Sequence, residues 1–204
     1  MTDESTLSAG LDINARIAAA VRRGRADRKL SLEELATASG VSRSMLSLIE
    51  RGETSPTAVV LEKVATALGV PLARLFDHSR DDASPVSRKV DRAIWKDPET
   101  GYQRWNISPP GYPSPLQIVE VLFPPHARVA FETGVRDHVV HQQVWVQDGR
   151  IEITLGDTVH QLAKGDCLAM QLDTTITYHN RTDKPARYVV VLVTLSPPVA
   201  RRSA

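Results

Sequence analysis

The chain has 204 residues, of which 42% are apolar and 24% charged, and its formal net charge is +1. This length allows two small domains with a core each, and the near-neutral charge excludes a uniformly basic, histone-like protein. The single cysteine, Cys167, excludes an internal disulfide and gives no reason to expect an oxidising compartment. The sequence begins without a signal-peptide pattern, and no run approaches 18 apolar residues. We therefore expect a cytoplasmic protein without a membrane segment.

The N-terminal third combines helical periodicity with positive charge. Residues 1–10 are small and polar, and we expect a mobile tail there. Ile13, Ile17 and Val21 then recur at the spacing of one helix face. From Ile13 to Gly52 the chain holds eight arginines and lysines against four acidic residues. The positive charge is thus concentrated where a nucleic-acid partner would need it.

Two short helices are predicted next, with a turn between them. Ser31 and Glu34 have the spacing of a capping box, and Gly40 ends this second helix. Ser42 stands at the N-cap of a third helix, and Gly52 follows its end. One face of this third helix is apolar, whereas the opposite face carries Arg43, Ser44, Ser47 and Arg51. Such a helix-turn-helix can place its second helix in a DNA major groove.

Two further helices complete the predicted bundle. Thr57 can cap a fourth helix, whose apolar residues follow the helical spacing as far as Leu68, and Gly69 ends it. A short fifth helix is predicted from Pro71 to Phe76. Residues 77–88 lack apolar periodicity and contain many turn residues, so we expect an interdomain linker there.

The run LSLEELATASGVSRSMLSLIERGETSPTAVVLEKVATALGVPLARLF, within residues 13–76, resembles the lambda-repressor-like helix-turn-helix family, also called the XRE family. The resemblance implies a five-helix DNA-binding domain over residues 11–76. It also implies an ion pair between Arg25 and Glu50 that ties the first helix to the recognition helix. We expect double-stranded DNA as a partner, bound by a homodimer at a palindromic operator. The expected DNA-contacting residues are Arg23, Ser42, Arg43, Ser44, Ser47, Arg51 and Thr54.

From about Lys89 the helical rhythm gives way to short apolar or alternating runs separated by Pro, Gly and Asp. This pattern predicts an all-β sandwich or barrel. Three dipeptides, Asp148-Gly149, Gly156-Asp157 and Gly165-Asp166, are each predicted to form a hairpin turn.

The segment VWVQDGRIEITLGDTVHQLAKGD, together with the later Asn180, resembles the cupin family. The resemblance implies a double-stranded β-helix barrel over residues 89–197, followed by a tail over residues 198–204. The whole chain resembles XRE regulators with a C-terminal cupin domain. The expected fold class is therefore α plus all-β, in two domains.

The resemblance also implies where a cupin would bind metal. Alignment on Gly149 and Gly165 puts Arg136, His138, Gln142 and Ile176 at the four ligand positions. Of these side chains only His138 is an ordinary ligand of a transition metal, so we expect neither metal nor cofactor. A different triad of His138, His141 and His179 stays open. It requires a bulge, because residues 138 and 141 point to opposite faces of a regular strand.

Read as an interior surface, the same positions favour a pocket for a small organic anion or polar metabolite. The candidate effector-binding residues are Arg136, His138, Gln142, Tyr178 and Asn180. We expect a transcriptional regulator, a repressor or dual regulator with an effector-sensing cupin, and not an enzyme. Two alternatives stay open. The cupin could be a metal-dependent enzyme with an accessory DNA-binding domain, or a dimerisation module without a ligand.

Overall fold

The structure, a computed structural model, describes residues 4–76, 84–132 and 139–195. An N-terminal helical region precedes a C-terminal β region, as the sequence predicts. Within the described ranges, no helix combines the length and the apolar character that a bilayer crossing requires.

The helical region contains four α-helices and one 3-10 helix within these ranges. They are α1 (Glu4–Asp27), α2 (Leu32–Ser39), α3 (Arg43–Arg51), α4 (Ala58–Ala67) and the 3-10 helix η1 (Leu72–Phe76). The short fifth helix predicted from Pro71 to Phe76 is not an α-helix: the chain forms the 3-10 helix η1 there, so within the described residues the bundle has four α-helices and not five. The amide of Arg74 donates to the carbonyl of Pro71 at 2.9 Å, which is the tighter i to i+3 bond of a 3-10 turn. Helix α1 begins at Glu4, within the range where the sequence analysis expects a tail.

The predicted helix ends are confirmed. The Ser31 hydroxyl accepts the Glu34 amide at 3.1 Å, and the Glu34 carboxylate accepts the Ser31 amide at 2.7 Å. The side chain of Ser42 accepts an amide of the first turn of α3. Gly40 and Gly52 end their helices with φ of 66° and 71°. Only glycine adopts this left-handed conformation without steric cost, so these two positions stop α2 and α3 where the sequence indicates.

Packing fixes the orientation of α3. Its apolar side is buried through Leu46 and Ile49, which are at most 1% exposed. The ion pair implied by the family resemblance is present, because Arg25 donates to both carboxylate oxygens of Glu50 at 2.6 and 2.9 Å. This hydrogen bonding raises the pKa of the Arg25 guanidinium. A two-point contact of this kind sets the rotation of α3 relative to α1.

Ten strands form the β region within the described ranges. They are β1 (Trp95–Lys96), β2 (Gln103–Asn106), β3 (Leu116–Phe123), β4 (Arg128–Phe131), β5 (Val139–Asp148), β6 (Arg150–Leu155), β7 (Thr158–Ala163), β8 (Cys167–Gln171), β9 (Ile176–His179) and β10 (Ala186–Leu195). A second 3-10 helix, η2 (Lys89–Asp91), precedes them. The strands form a six-stranded sheet in the order β1-β2-β3-β10-β5-β8 and a four-stranded sheet in the order β4-β9-β6-β7.

The expectation of a β-helix barrel is corrected by the structure, because the described strands form two separate open sheets. Of the three predicted hairpins only Gly156-Asp157 is one, since β6 and β7 pair directly across it. Asp148-Gly149 and Gly165-Asp166 instead carry the chain from one sheet to the other. A Cβ atom on Gly149, at φ of 76°, would lie 2.6 Å from the carbonyl oxygen of Pro185. These glycines therefore serve as corners between the sheets.

The two regions pack directly on each other. The buried carboxylate of Asp97 accepts the amide of Ala58 at 2.8 Å, at the N-terminus of α4. The side-chain amide of Asn106 donates to the carbonyl of Ala73 in η1 at 3.1 Å. Buried apolar residues of both regions belong to one continuous core. A perturbation inside the β region therefore reaches α4 and η1 by direct contact.

Candidate functional site

The outer face of α3 is polar and exposed. Arg43 and Ser44 are exposed and Ser47 is partly exposed, on the side opposite the buried Leu46. Arg43 lies 3.8 Å from the Glu33 carboxylate, and both side chains are more than two-thirds exposed. An ion pair so open to solvent contributes little, so Arg43 can change partners readily.

Arg51 has closer partners on the same face. It donates to the Ser47 hydroxyl at 2.5 Å and to both carboxylate oxygens of Glu53 at 2.8 Å. The hydrogen bonds with Glu53 raise the pKa of Arg51 and lower that of the Glu53 carboxyl. Contact between Arg51 and a DNA phosphate would therefore exchange one anionic partner for another.

The remaining predicted DNA-contacting residues flank this face. Ser42 caps α3 and lies 3.1 Å, oxygen to oxygen, from the hydroxyl of Ser44. Thr54 is partly exposed and follows the end of α3, while Arg23 is exposed on α1. The structure thus places Ser42 and the four polar residues of α3 on one helix and its cap.

A second candidate site lies inside the β region. A cavity of about 90 Å³ is lined by inward-facing residues of both sheets, among them Tyr102, Arg104, Gln142, Tyr178, Tyr188 and Leu192. Residues of α4 and of the segment that follows it complete the lining, namely Glu62, Pro71, Leu72 and Ala73. The cavity therefore belongs to both domains.

Three tyrosines give this cavity neutral hydroxyl groups. The side-chain amide of Gln142 donates to the hydroxyl oxygen of Tyr178 at 2.6 Å. Burial raises the pKa of Tyr102 to about 12, and it also raises the pKa values of Tyr178 and Tyr188 well above their usual range. All three phenols stay protonated at physiological pH. Since Tyr178 already accepts from Gln142, its own proton remains available to an acceptor.

Two charged side chains line the cavity among its described residues. Glu62 comes from α4 and is 8% exposed, and Arg104 comes from β2 and is 7% exposed. The Arg104 guanidinium lies 4.6 Å from the centroid of the Phe76 ring in η1. Its Nε has no hydrogen-bond partner within the described part of the chain. A buried donor without a partner is uncommon in a folded protein.

A chain of aromatic contacts runs from η1 to the far side of the cavity. Successive ring centroids are 5.5 to 6.2 Å apart, in the order Phe76, Trp95, Tyr102, Phe123, Tyr188, Tyr178 and Phe131. These are ordinary separations for interacting rings. Because rings of this size repack together, the cavity wall and η1 form one packed unit.

Of the five predicted effector-binding residues, Gln142 and Tyr178 are brought together in the cavity. Arg136 and His138 lie outside the described residues. Asn180 is buried, but its amide donates to three backbone carbonyls and its oxygen accepts from Thr182. It holds the turn after β9 and is not among the residues that line the cavity.

The donor set does not fit a cupin metal site. Gln142 offers a neutral amide already bonded to Tyr178, and Ile176 offers no lone pair. His141 is exposed on β5 of the six-stranded sheet, whereas His179 lies on β9 of the other sheet, on the face opposite Tyr178. Within the described ranges, no three His, Cys, Asp or Glu side chains stand close enough to share a metal ion.

The sequence analysis missed Glu62 and Arg104. Tyr102 lies just before β2, two residues from Arg104, so the alternation of extended chain puts both on one face and could have marked an inward-facing arginine. Glu62 carried no comparable signal. Its helical position predicts a buried face, but only the packing between domains shows that this face meets the cavity.

Comparisons with known proteins agree with the division of the chain into a helical domain and a β domain. Residues 21–75 match a helix-turn-helix family and residues 121–192 match a cupin domain family. A transcriptional regulator of the HTH_3 family from Vibrio cholerae is 23% identical, with a TM-score of 0.69 over 90% of this chain and 98% of the other. This similarity establishes a shared fold across both domains. A comparison with curated proteins finds no match.

Two other solved structures have TM-scores below 0.5. The hydroxypropylphosphonic acid epoxidase from S. wedmorenis is 16% identical, with a TM-score of 0.43 over 88% of this chain and 97% of the other. The cupin domain of an XRE family transcriptional regulator from Enterobacter cloacae is 15% identical, with a TM-score of 0.36 over 41% and 83%. Scores this low carry no argument about chemistry. The two family matches therefore identify an N-terminal helix-turn-helix domain and a C-terminal cupin domain, and the shared fold agrees with this two-domain arrangement.

Proposed function

We propose that this protein is a sequence-specific transcriptional repressor whose cupin domain senses a small-molecule effector. The observation that carries the proposal is the outer face of α3. Arg43, Ser44 and Ser47 project from a helix whose opposite side is buried and whose rotation is fixed by the pair of Arg25 and Glu50. A helix held in this way can enter a major groove without first becoming ordered.

The residues of α3 divide into two roles under this proposal. Arg43 in the first turn reads a base edge, for which a guanidinium bound to guanine is the commonest specific contact. Ser44 and Ser47 add shorter contacts to bases or phosphates. Arg23 on α1 contacts phosphates, and this contributes affinity and salt dependence without sequence information.

One recognition helix covers only a few base pairs, so useful specificity requires two copies. The protein therefore acts as a homodimer on two half-sites with a centre-to-centre spacing of about one helical turn. Phosphate contacts from both copies add to the salt dependence of binding.

Support for a sensor over an enzyme comes from the cavity. Gln142 and Ile176 replace ligands that a metal-dependent cupin would use, whereas the cavity offers neutral phenols and one buried guanidinium. Such a lining can bind and orient a small molecule.

The experiment is to select binding sequences for the full-length protein from a random DNA library, and then to titrate the selected DNA. The expected result is an enriched palindrome with two half-sites. Arg150→Ala, an exposed arginine on β6, is the charge-matched control and should leave affinity unchanged. A protein that enriches no sequence is not a specific DNA-binding regulator. A reporter gene placed behind the selected site then tests repression, and activation of the reporter would contradict it.

A further inference from the structure

We propose that the cavity between the two sheets and the DNA-binding domain binds a small uncharged organic molecule with a mainly apolar body and one acceptor oxygen. This inference rests on the proposed sensing function, because it names the ligand class for that function. It differs from the anionic effector expected from Arg136, which lies outside the described residues.

The size and the lining of the cavity determine the size and the apolar character of the ligand. A volume of about 90 Å³ exceeds what a single water needs and suits a compact molecule. Most of the lining is apolar or aromatic, as Val119, Val190, Leu192 and Phe131 illustrate. An apolar lining of this kind favours a ring or a branched chain over a highly hydrated group.

The charges in the wall set the charge of the ligand. Glu62 and Arg104 carry opposite charges, and their fields shift the pKa of Tyr178 in opposite directions. An anion near Arg104 would also face the carboxylate of Glu62, and a cation near Glu62 would also face the guanidinium. Because an ion also loses its hydration on entry, the neutral molecule binds best.

One donor of the cavity wall determines the polar group of the ligand. Tyr178 lines the cavity and accepts from Gln142, so its own proton is free to be donated. A carbonyl oxygen can accept this proton. A ligand with such an oxygen therefore supplies what the cavity lacks.

The position of the cavity couples the ligand to DNA binding. Glu62 lies on α4 and Leu72 lies on η1, so two elements of the DNA-binding domain contact whatever fills the cavity. Helix α4 is also joined to the β region through the bond from Ala58 to Asp97. A ligand that changes the packing of this wall therefore directly changes the contacts that support the helix-turn-helix.

The test uses three probes of equal shape and different charge: benzamide, benzoate and benzylamine. Each is titrated into the full-length protein labelled at its methyl groups, and the spectra of Val190 and Leu72 are followed by nuclear magnetic resonance. Benzamide should give saturable shifts at both residues. Benzoate and benzylamine should bind at least about tenfold more weakly, because each meets one like charge.

Matched variants locate the binding site. Val190→Phe places a ring in the cavity, whereas Val191→Phe adds the same ring to the adjacent residue of β10, which does not line the cavity. Benzamide shifts at Leu72 should disappear in the first variant and persist in the second. Leu72→Phe, which fills the cavity from the opposite wall, should also abolish benzamide shifts at Val190 if Val190→Phe does not fold.

Three results would overturn the inference: binding of a charged probe as tight as that of benzamide, benzamide binding that survives the filling variants, or no saturable shift with benzamide. Selection of DNA sequences by the same preparation separates this failure from that of the proposed function. If benzamide fails while an operator is still enriched, the ligand class is wrong and the DNA-binding role stands. If no sequence is enriched, the regulatory role fails whatever the probes show.

Discussion

The outer face of α3 and the cavity beneath α4 provide opposite physical conditions for the roles that we propose. On α3, Arg43 and Ser44 project into water from a helix that is fixed by its buried side. In the cavity, Glu62 and Arg104 are buried and their surroundings are mainly apolar. A substitution on α3 should therefore change DNA binding with little effect on folding. A substitution in the cavity wall should change both stability and ligand binding.

The two regions meet at α4, and this contact decides whether they act as one unit. Asp97 of the β region accepts the amide of Ala58 and also accepts both the amide and the hydroxyl of Thr100. A carboxylate at a helix N-terminus also interacts favourably with the helix dipole. The junction is therefore a buried, fully bonded carboxylate, and it is the most sensitive single position that we identify.

The largest effect is expected at this junction. Asp97→Ala removes an acceptor from three buried or half-buried donors and should lower the free energy of unfolding by about 3 kcal/mol or more. The measurement is urea denaturation followed by circular dichroism. Asp183→Ala, which removes an almost fully exposed carboxylate beside His126, is the control and should have almost no effect. Equal losses for the two variants would show that the junction contributes nothing special.

The next-largest effect is expected in DNA binding, from substitutions on the exposed face of α3. Arg43→Ala should weaken binding to the selected operator by about 1–3 kcal/mol per half-site and relax the base preference at one position. Arg23→Ala should weaken all sequences alike and reduce the salt dependence of binding. Fluorescence anisotropy with operator and scrambled DNA separates these outcomes. If Arg43→Ala weakens both DNAs equally, Arg43 contacts phosphate only.

A smaller effect is expected inside the cavity. Tyr178→Phe keeps the ring but leaves the amide of Gln142 without its 2.6 Å acceptor. The free energy of unfolding should fall by about 1–2 kcal/mol, the usual penalty for one buried donor left unpaired. Tyr112→Phe, at a tyrosine that is 45% exposed, should change it by far less. Urea midpoints measure both, and an unchanged midpoint for Tyr178→Phe would mean that the amide finds another acceptor.

The smallest effect is a dependence of stability on pH. Burial, and then the charge of Arg181, lower the pKa of His179, and these effects outweigh the nearby carboxylate of Glu152. The unfolded chain therefore takes up this proton first as the pH falls below about 6.5, and part of the stability is lost between pH 7 and 5.5. His179→Gln should flatten this slope slightly. A slope unchanged from that of the unsubstituted protein would contradict the assignment.

Local sequence signals predicted the ends of the short helices and one β-hairpin correctly. Ser31, Ser42 and Gly52 were identifiable because a helix end depends on residues within one turn of it. The same holds for the hairpin at Gly156-Asp157, where two strands pair across two residues. The resemblance to known families added the pair of Arg25 and Glu50, which no spacing rule predicts.

The rest of the fold depends on contacts between residues far apart in the sequence. Asp148-Gly149 is locally as good a hairpin as Gly156-Asp157, yet β5 pairs with β10 and β8 instead of β6. A dipeptide specifies a turn, whereas the strand that pairs beyond it is chosen by the packing of both sheets. Glu62 and Arg104 meet at one cavity for the same reason, since each comes from a different domain. No local pattern contains that information.

The most direct test of the account is to fill the cavity and measure DNA binding at a distance. The affinity of Val190→Phe for the selected operator is compared with that of Val191→Phe, with the free energy of unfolding of each variant recorded. If α4 and η1 transmit the packing of the cavity, Val190→Phe should change operator affinity by at least about fivefold, or about 1 kcal/mol, while Val191→Phe leaves it unchanged. Equal operator affinities for two folded variants would show that the cavity and the recognition helix are independent.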